Sequence, residues 1–150
     1  MKLLSKFTLS MIAIMGLLGT NISIVLAAEK PSVSIIKDTA KAEVIRAKRK
    51  GDIVEIEVRF NTLVEPFSGA IIYEKLNRDL VFISSGDEKW PLDAAENAAP
   101  QDLKLNFSYD MTKTPRIGQW KGKFIAPPSN VNKISLHIDG LPVIENVSIK

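Results

Sequence analysis

His137 is the one histidine of the chain, and in ISLHID it has Ser135 two residues before it and Asp139 two residues after. Serine, imidazole and carboxylate are the groups of nucleophilic acyl transfer, in which the base takes the hydroxyl proton and the acid orients the base. On a strand, residues two apart share a face at a spacing of about 7 Å, so a triad can be drawn through all three. The outer face of any amphipathic strand reads the same way, however, and triad members converge from separate segments. The expectation is a solvated strand face and no catalytic residue.

Other chemistries lack their groups. There is no cysteine, and Met111 is the single methionine after residue 27, so the soft donors of zinc and copper sites are missing. Asp87, Glu88, Asp93 and Glu96 could gather round calcium, but they lack the alternating ligands and the glycine of a calcium loop. A solvated acidic loop is expected, with no metal and no cofactor. Ser84-Ser85-Gly86 lacks the leading glycine of a nucleophile elbow, and no glycine-rich phosphate cradle follows a strand. Carboxylate pairs of the glycosidase kind meet only in three dimensions, which leaves a carboxylate-dependent hydrolase as a third-ranked alternative. Trp90, just ahead of Pro91, is the one large aromatic in a predicted loop. It is either a partner contact, since tryptophan is enriched at binding hot spots, or packing over the end of the domain. Lys48, Arg49 and Lys50 form the one basic run, read as the solvated tip of a hairpin.

The N-terminus carries Lys2 and Lys6, then a long apolar run, then Val25 and Ala27. This is the order of a secretory signal peptide. Cleavage is expected after Ala27, with Ala28 as the next choice, leaving residues 28–150 as one domain of the periplasm or the medium. The alternative is an uncleaved anchor, because Phe7 to Leu26 approaches the length that spans a bilayer; Thr20, Asn21 and Ser23 argue against it. Lys2 and Lys6 are two of 20 basic residues, so the remainder holds 18 basic against 17 acidic residues, a net charge of +1. That balance offers no concentrated basic surface for nucleic acid. Export would permit disulfides; without cysteine the domain depends on an ordinary core, which its size can supply. The sequons at Asn106 and Asn146 read as chance in a bacterial exported chain.

The elements that would carry any site are strands. After Lys30 apolar residues recur with period two, and no dozen residues hold a helical stripe. In AEVIRAKRKGDIVEIEVRF, Val54, Ile56, Val58 and Phe60 alternate with Glu55, Glu57 and Arg59. A two-residue turn at Lys50-Gly51 would set Ala47 against Val54, Ile45 against Ile56 and Arg46 against Glu55. GAIIYEKL and DLVFISS form a second predicted pair, turned by Asn77 and Arg78. The segment from Gly86 to Asp102 is expected to be a surface loop with one helical turn within Asp93–Ala98. Leu103, Leu105, Phe107 and Tyr109 share a face, and Met111 to Gly118 is a further loop. Trp120 and Phe124 share a face across Gly122, in a strand stopped by Pro127 and Pro128. Ile134, Leu136 and Ile138 then point inward, and Val147 and Ile149 close the core. About eight short strands with regular turn signals indicate an antiparallel β-sandwich.

DLVFISSGDEKWPLDAAENAAPQDL followed by WKGKFIAPPSNVNKISLHIDGLPVIENVSI resembles a loosely defined group of bacterial exported immunoglobulin-like modules. The matching residues are Leu80–Ile83, Trp90–Leu92, Phe124–Pro128, Ile134–Gly140 and Pro142–Ile149, roughly the second half of the expected mature chain. The resemblance implies an immunoglobulin-like antiparallel β-sandwich and carries no catalytic motif to transfer. The function expected is therefore a non-catalytic binding or accessory module of the cell envelope, whose partner is another envelope or extracellular protein and whose contact is a loop surface or a strand edge. A self-associating structural subunit is the alternative.

Overall fold

The computed structural model describes residues 28–63, 71–107 and 116–150. The expected signal peptide, Tyr109, Met111 and most of the expected loop that follows them lie outside these residues. Ten strands are present among those described: β1 (Ser32–Ile35), β2 (Ala40–Lys50), β3 (Ile53–Thr62), β4 (Ile71–Lys75), β5 (Phe82–Ser85), β6 (Glu88–Pro91), β7 (Asp102–Asn106), β8 (Arg116–Ile125), β9 (Lys133–His137) and β10 (Ile144–Ser148). They make two four-stranded sheets, ordered β1-β2-β3-β8 and β10-β9-β5-β6, and a two-stranded ribbon of β4 and β7. Every strand pairing is antiparallel. Among the described residues no helix is long and apolar enough to cross a membrane.

The period-two pattern produces this because alternate residues of a strand point to opposite faces. Val54, Ile56, Val58 and Phe60 are wholly buried from β3, and Trp120 and Phe124 from the adjoining β8. Ile83, Leu136, Ile138, Ile144 and Val147 enter the same core from the second sheet, and Leu103, Leu105 and Phe107 from the ribbon and its end. Ile149, expected as the last core residue, is only partly buried.

Four expectations are corrected. The β2–β3 register is shifted by two residues at the hairpin end. Lys50 pairs with Ile53, so Gly51 and Asp52 form the loop and Ala47 faces Ile56. Gly51, at φ +60°, comes first in the loop rather than second, because it is the first loop position that demands the positive φ here. A bulge then makes Ile45 the extra residue between Val44, opposite Val58, and Arg46, opposite Glu57. The bulge is what lets both Val44 and Ala47 face inward. The charge pattern survives in altered pairs, with Lys50 bound to Glu55 and Lys121 3.5 Å from Glu57.

β4 and β5 do not form a hairpin: β4 pairs with β7, and β5 with β6 and β9. Asn77 and Arg78 instead lead into a 3₁₀ turn over Arg78–Leu80 that carries the chain to the second sheet. Two strands were not expected at all, β1 and β6, the latter inside the predicted loop; its one helical turn is found, at Glu96–Ala98. Arg49 is no free hairpin-tip charge. Its guanidinium donates to the carbonyls of Pro127 (2.6 Å), Pro128 (3.3 Å) and Val131 (3.3 Å), pinning the double-proline loop to β2. The backbone of Lys150 is bonded to Ala47 and Arg49 of the same strand.

Candidate functional site

Among the described residues a cleft of about 830 Å³ lies between β1, the β4–β7 ribbon and the turn joining β9 to β10. That is the size range of ligand and peptide pockets. Its apolar wall comes from Ile35, Ile72, Leu76, Leu103, Leu105 and Leu141, and its rim from Lys37, Asp38, Glu74, Lys75 and Asp139. The wall follows directly from the ribbon's register: Ile72 opposes Leu105 and Glu74 opposes Leu103, so these four share a face, while Tyr73 and Lys104 occupy the other.

One side of the cleft is a strained turn. Ile36, Lys37 and Asp38 have φ of +53°, +51° and +63°, three consecutive non-glycine residues in the left-handed region. A β-branched residue there is an outlier, and each such residue costs on the order of 1–3 kcal/mol. The turn is held by Thr39, whose N–H and hydroxyl both donate to the Ile36 carbonyl, at 3.1 Å and 2.7 Å. Ile36 itself packs against the core. Lys37→Gly should stabilise the domain by about 1 kcal/mol, because glycine adopts this φ without a Cβ penalty. Thermal unfolding monitored by circular dichroism tests this; an unchanged or lowered midpoint would mean that the lysine side chain offsets the strain.

Ser135, His137 and Asp139 do not form a triad. Asp139 accepts a hydrogen bond from the Asn77 backbone N–H at 2.8 Å, bracing the cleft where the ribbon leads out of β4. Ser135 is the ladder partner of Ser84. His137 finds its hydroxyl on another strand: its Nε2 lies 2.9 Å from Ser84 Oγ, and its ring stacks on Phe82 at 4.2 Å and 16°. The far side of this stack is charged, with Lys89 Nζ 4.7 Å from the Phe82 centroid. The Ser84–His137 pair can share a proton, but acyl transfer also requires a group orienting the base and donors for the oxyanion. Among the described residues, no partner is seen at His137 Nδ1.

Burial, with Lys89 adding like-charge repulsion, holds the His137 pKa below its ordinary 6.5. The unfolded chain therefore takes up the proton first as pH falls. The stability associated with neutral His137 is full above pH 6.5 and is lost as pH drops from there through the depressed folded value. Urea unfolding between about pH 7.5 and pH 5 should show a shallower pH dependence for His137→Gln than for the parent chain; parallel curves would contradict this account.

The remaining candidates are dispersed. Asp87 occupies the β5–β6 turn, Glu88 opens β6, Asp93 follows it and Glu96 opens the second 3₁₀ turn; among the described residues no group of three or more histidine or acidic side chains gathers as a metal site. Arg78 donates to the Ala95, Glu96 and Ala99 carbonyls, so the alanine-rich segment is tethered. Trp90 pairs with Ile83 on the edge strand β6 and packs in part against the core. A Trp90→Ala change thus has a packing cost whatever its outer edge meets.

Neither the cleft nor the Ser84–His137 contact could be read along the chain. The cleft joins segments near residues 36, 74, 104 and 140, and Ser84 is 53 residues from His137. The one available signal was the polar break Lys37-Asp38-Thr39 between two apolar runs, which marks a turn. Compared with protein-family models, curated proteins and solved structures, the chain matches none.

Proposed function

We propose that this chain is an exported, non-catalytic binding or accessory module of the bacterial cell envelope, with the immunoglobulin-like sandwich as its scaffold, and that it holds another envelope or extracellular protein through the cleft. The observation that carries this reading is the pairing of an apolar cleft with a strained wall, Ile36–Asp38. Strain of that kind concentrates at binding and switch sites because a fold selected for stability alone would place glycine there. The mixed-sign rim suits a protein surface better than a single charged ligand. Trp90 is a secondary contact in this reading, on the edge strand β6 and outside the lining of the cleft.

The test is photocrosslinking in a bacterial host that exports the chain, with a photoreactive residue replacing Lys37 or Glu74 at the cleft, or Lys121 on the charged outer face of β8 as control. One discrete adduct from the cleft positions and none from the control supports the reading. Equal labelling from all three, or none from the cleft, overturns it; adducts at exactly twice the chain mass would favour the self-associating subunit.

A further inference from the structure

We infer that the outer face of the β1-β2-β3-β8 sheet docks on an anionic lipid bilayer, with the β2–β3 hairpin end beside the apolar N-terminal run. None of the cations on that face lines the cleft. The inference therefore concerns a second surface and shares with the proposed function only export to the envelope.

The net charge of +1 over residues 28–150 conceals an uneven distribution. Register sets the outward side chains in rows across three strands. Lys48 and Lys123 flank Glu55, Arg46 and Lys121 flank Glu57, and Lys41 and Arg116 flank Asn61. Arg59 lies between Glu43 and Gln119, and Lys50 adds a cation at the hairpin end. Eight cations thus share one face with three glutamates. Asp93 stands at its β8 edge, with its N–H bonded to the Lys123 carbonyl. The rest of residues 28–150 holds ten basic and thirteen acidic residues, so the domain has a positive side and a negative remainder.

The acids on this face are recessed. The Glu55 and Glu57 side chains are 24% and 17% exposed, against 51% for Lys50 and 58% for Lys121; Arg46 and Lys48 are exposed as well. The Glu55 carboxyl is held below its ordinary range, first by the hydrogen bond from Lys50 and further by the charges of Arg46 and Lys123, with burial opposing them. An approaching surface meets cations first. The cation rows on β2 and β8 lie two strand spacings apart, roughly 10 Å, which suits an array of charged headgroups better than one compact ion. No aromatic side chain points outward among these rows, so the face lacks the stacking platform that single-stranded nucleic acid uses.

Two further observations select a bilayer. The chain ahead of β1 runs along β2: the Val44 N–H donates to the Pro31 carbonyl at 2.9 Å, and residues 28–30 line a concavity together with Arg46, Ala47 and Lys48. The apolar run of residues 7–26 therefore joins the domain at the hairpin end of the basic face. That same end carries the outward pair Ile53 and Ile125, the latter 45% exposed. Basic residues beside a membrane-inserting segment are drawn to anionic lipid, and apolar side chains among them add buried area. Before cleavage the run holds this end of the domain at the bilayer; afterwards the cations keep it there.

The experiment uses the chain as released in soluble form by the exporting host, cosedimented with vesicles of phosphatidylcholine alone or of equal parts phosphatidylcholine and phosphatidylglycerol. The expected result is binding to the mixed vesicles only, with release at high salt. Combined Arg46→Gln, Lys48→Gln and Lys121→Gln should weaken it about fivefold per charge, on the order of a hundredfold in all. Combined Lys75→Gln, Lys89→Gln and Lys104→Gln, which remove the same charge from other surfaces, should leave it unchanged. Acetic anhydride labelling of the parent chain, read by mass spectrometry, should show Lys48, Lys121 and Lys123 protected on mixed vesicles and Lys89 and Lys104 not; it needs no variant and so decides the matter even where a triple variant fails to fold. Equal binding to both vesicles, equal weakening by the two triple variants, or uniform labelling overturns the inference. Binding of inorganic polyphosphate without binding to mixed vesicles assigns the face to a soluble polyanion and overturns the bilayer. None of these outcomes alters the crosslinking test of the cleft.

Discussion

Gly122→Ala should destabilise the domain by about 2–3 kcal/mol, at the upper end for overpacking a close-packed core. On β8 the wholly buried Trp120 and Phe124 point inward either side of Gly122, with ring centroids 6.1 Å apart and tilted by 48°. The indole leans into the space that a side chain at Gly122 would occupy. A Cβ there would fall inside the van der Waals envelope of Trp120 Cη2, 2.8 Å from Cζ3 and 3.0 Å from Phe124 Cε2. Neither ring can swing away, because Trp120 is 1% exposed and Phe124 not at all. The cause can be isolated by a double-mutant cycle with Trp120→Phe, which shortens the side chain. That change also removes Nε1, a buried donor without a hydrogen-bond partner among the described residues, so it should cost less than its volume suggests. Urea denaturation of the four proteins should give a coupling of about 1 kcal/mol or more, with the double variant less destabilised than the sum. Simple additivity would show that the indole is not the obstacle.

Gly118→Val should cost a comparable amount, about 3 kcal/mol, but with a local signature. Here the added Cβ would lie 2.8 Å from Leu105 Cδ2 and 2.8 Å from the carbonyl oxygen of Lys104. A side chain can rotate; a backbone carbonyl moves only with its strand. The valine should therefore lever the β4–β7 ribbon off β8 and carry Leu103 and Leu105 with it. Hydrogen exchange should speed up in Ile72–Lys75 and Asp102–Asn106 well before it does in the β2–β3 hairpin, as expected of sub-global opening. Binding at the cleft should weaken more than global stability accounts for. Uniform acceleration over all strands would mean that the ribbon is not a separately opening unit.

These two glycines illustrate how much could be read along the chain. Gly122 was legible as the small residue between two rings on one face, because Trp120, Gly122 and Phe124 obey strand alternation. Gly118 was not, since its constraint comes from Lys104 on β7, which precedes β8 in the chain but is not its partner in the hydrogen-bonded ladder. The same division runs through the fold. Ile134, Leu136 and Ile138 were assigned inward and are buried, while β6 was hidden because Lys89, Trp90 and Pro91 are partly or largely exposed on an edge and carry little alternation. The β4–β5 hairpin failed because Asn77 and Arg78 turn the chain without determining which strand lies alongside. For the site, His137 was visible as a residue but Ser84 and Phe82 were not visible as its neighbours, and Asp139 proved to brace the cleft.

By itself the sequence determined that the described chain is all-β and which faces of most strands are buried, since both follow from local alternation and the transfer of apolar surface from water. Strand partners, the bulge at Ile45, the left-handed turn at Ile36–Asp38 and the cleft were decided only in the tertiary structure. Many pairings bury similar apolar area, and what selects among them is the simultaneous close packing of side chains far apart in sequence, a condition that no single segment contains.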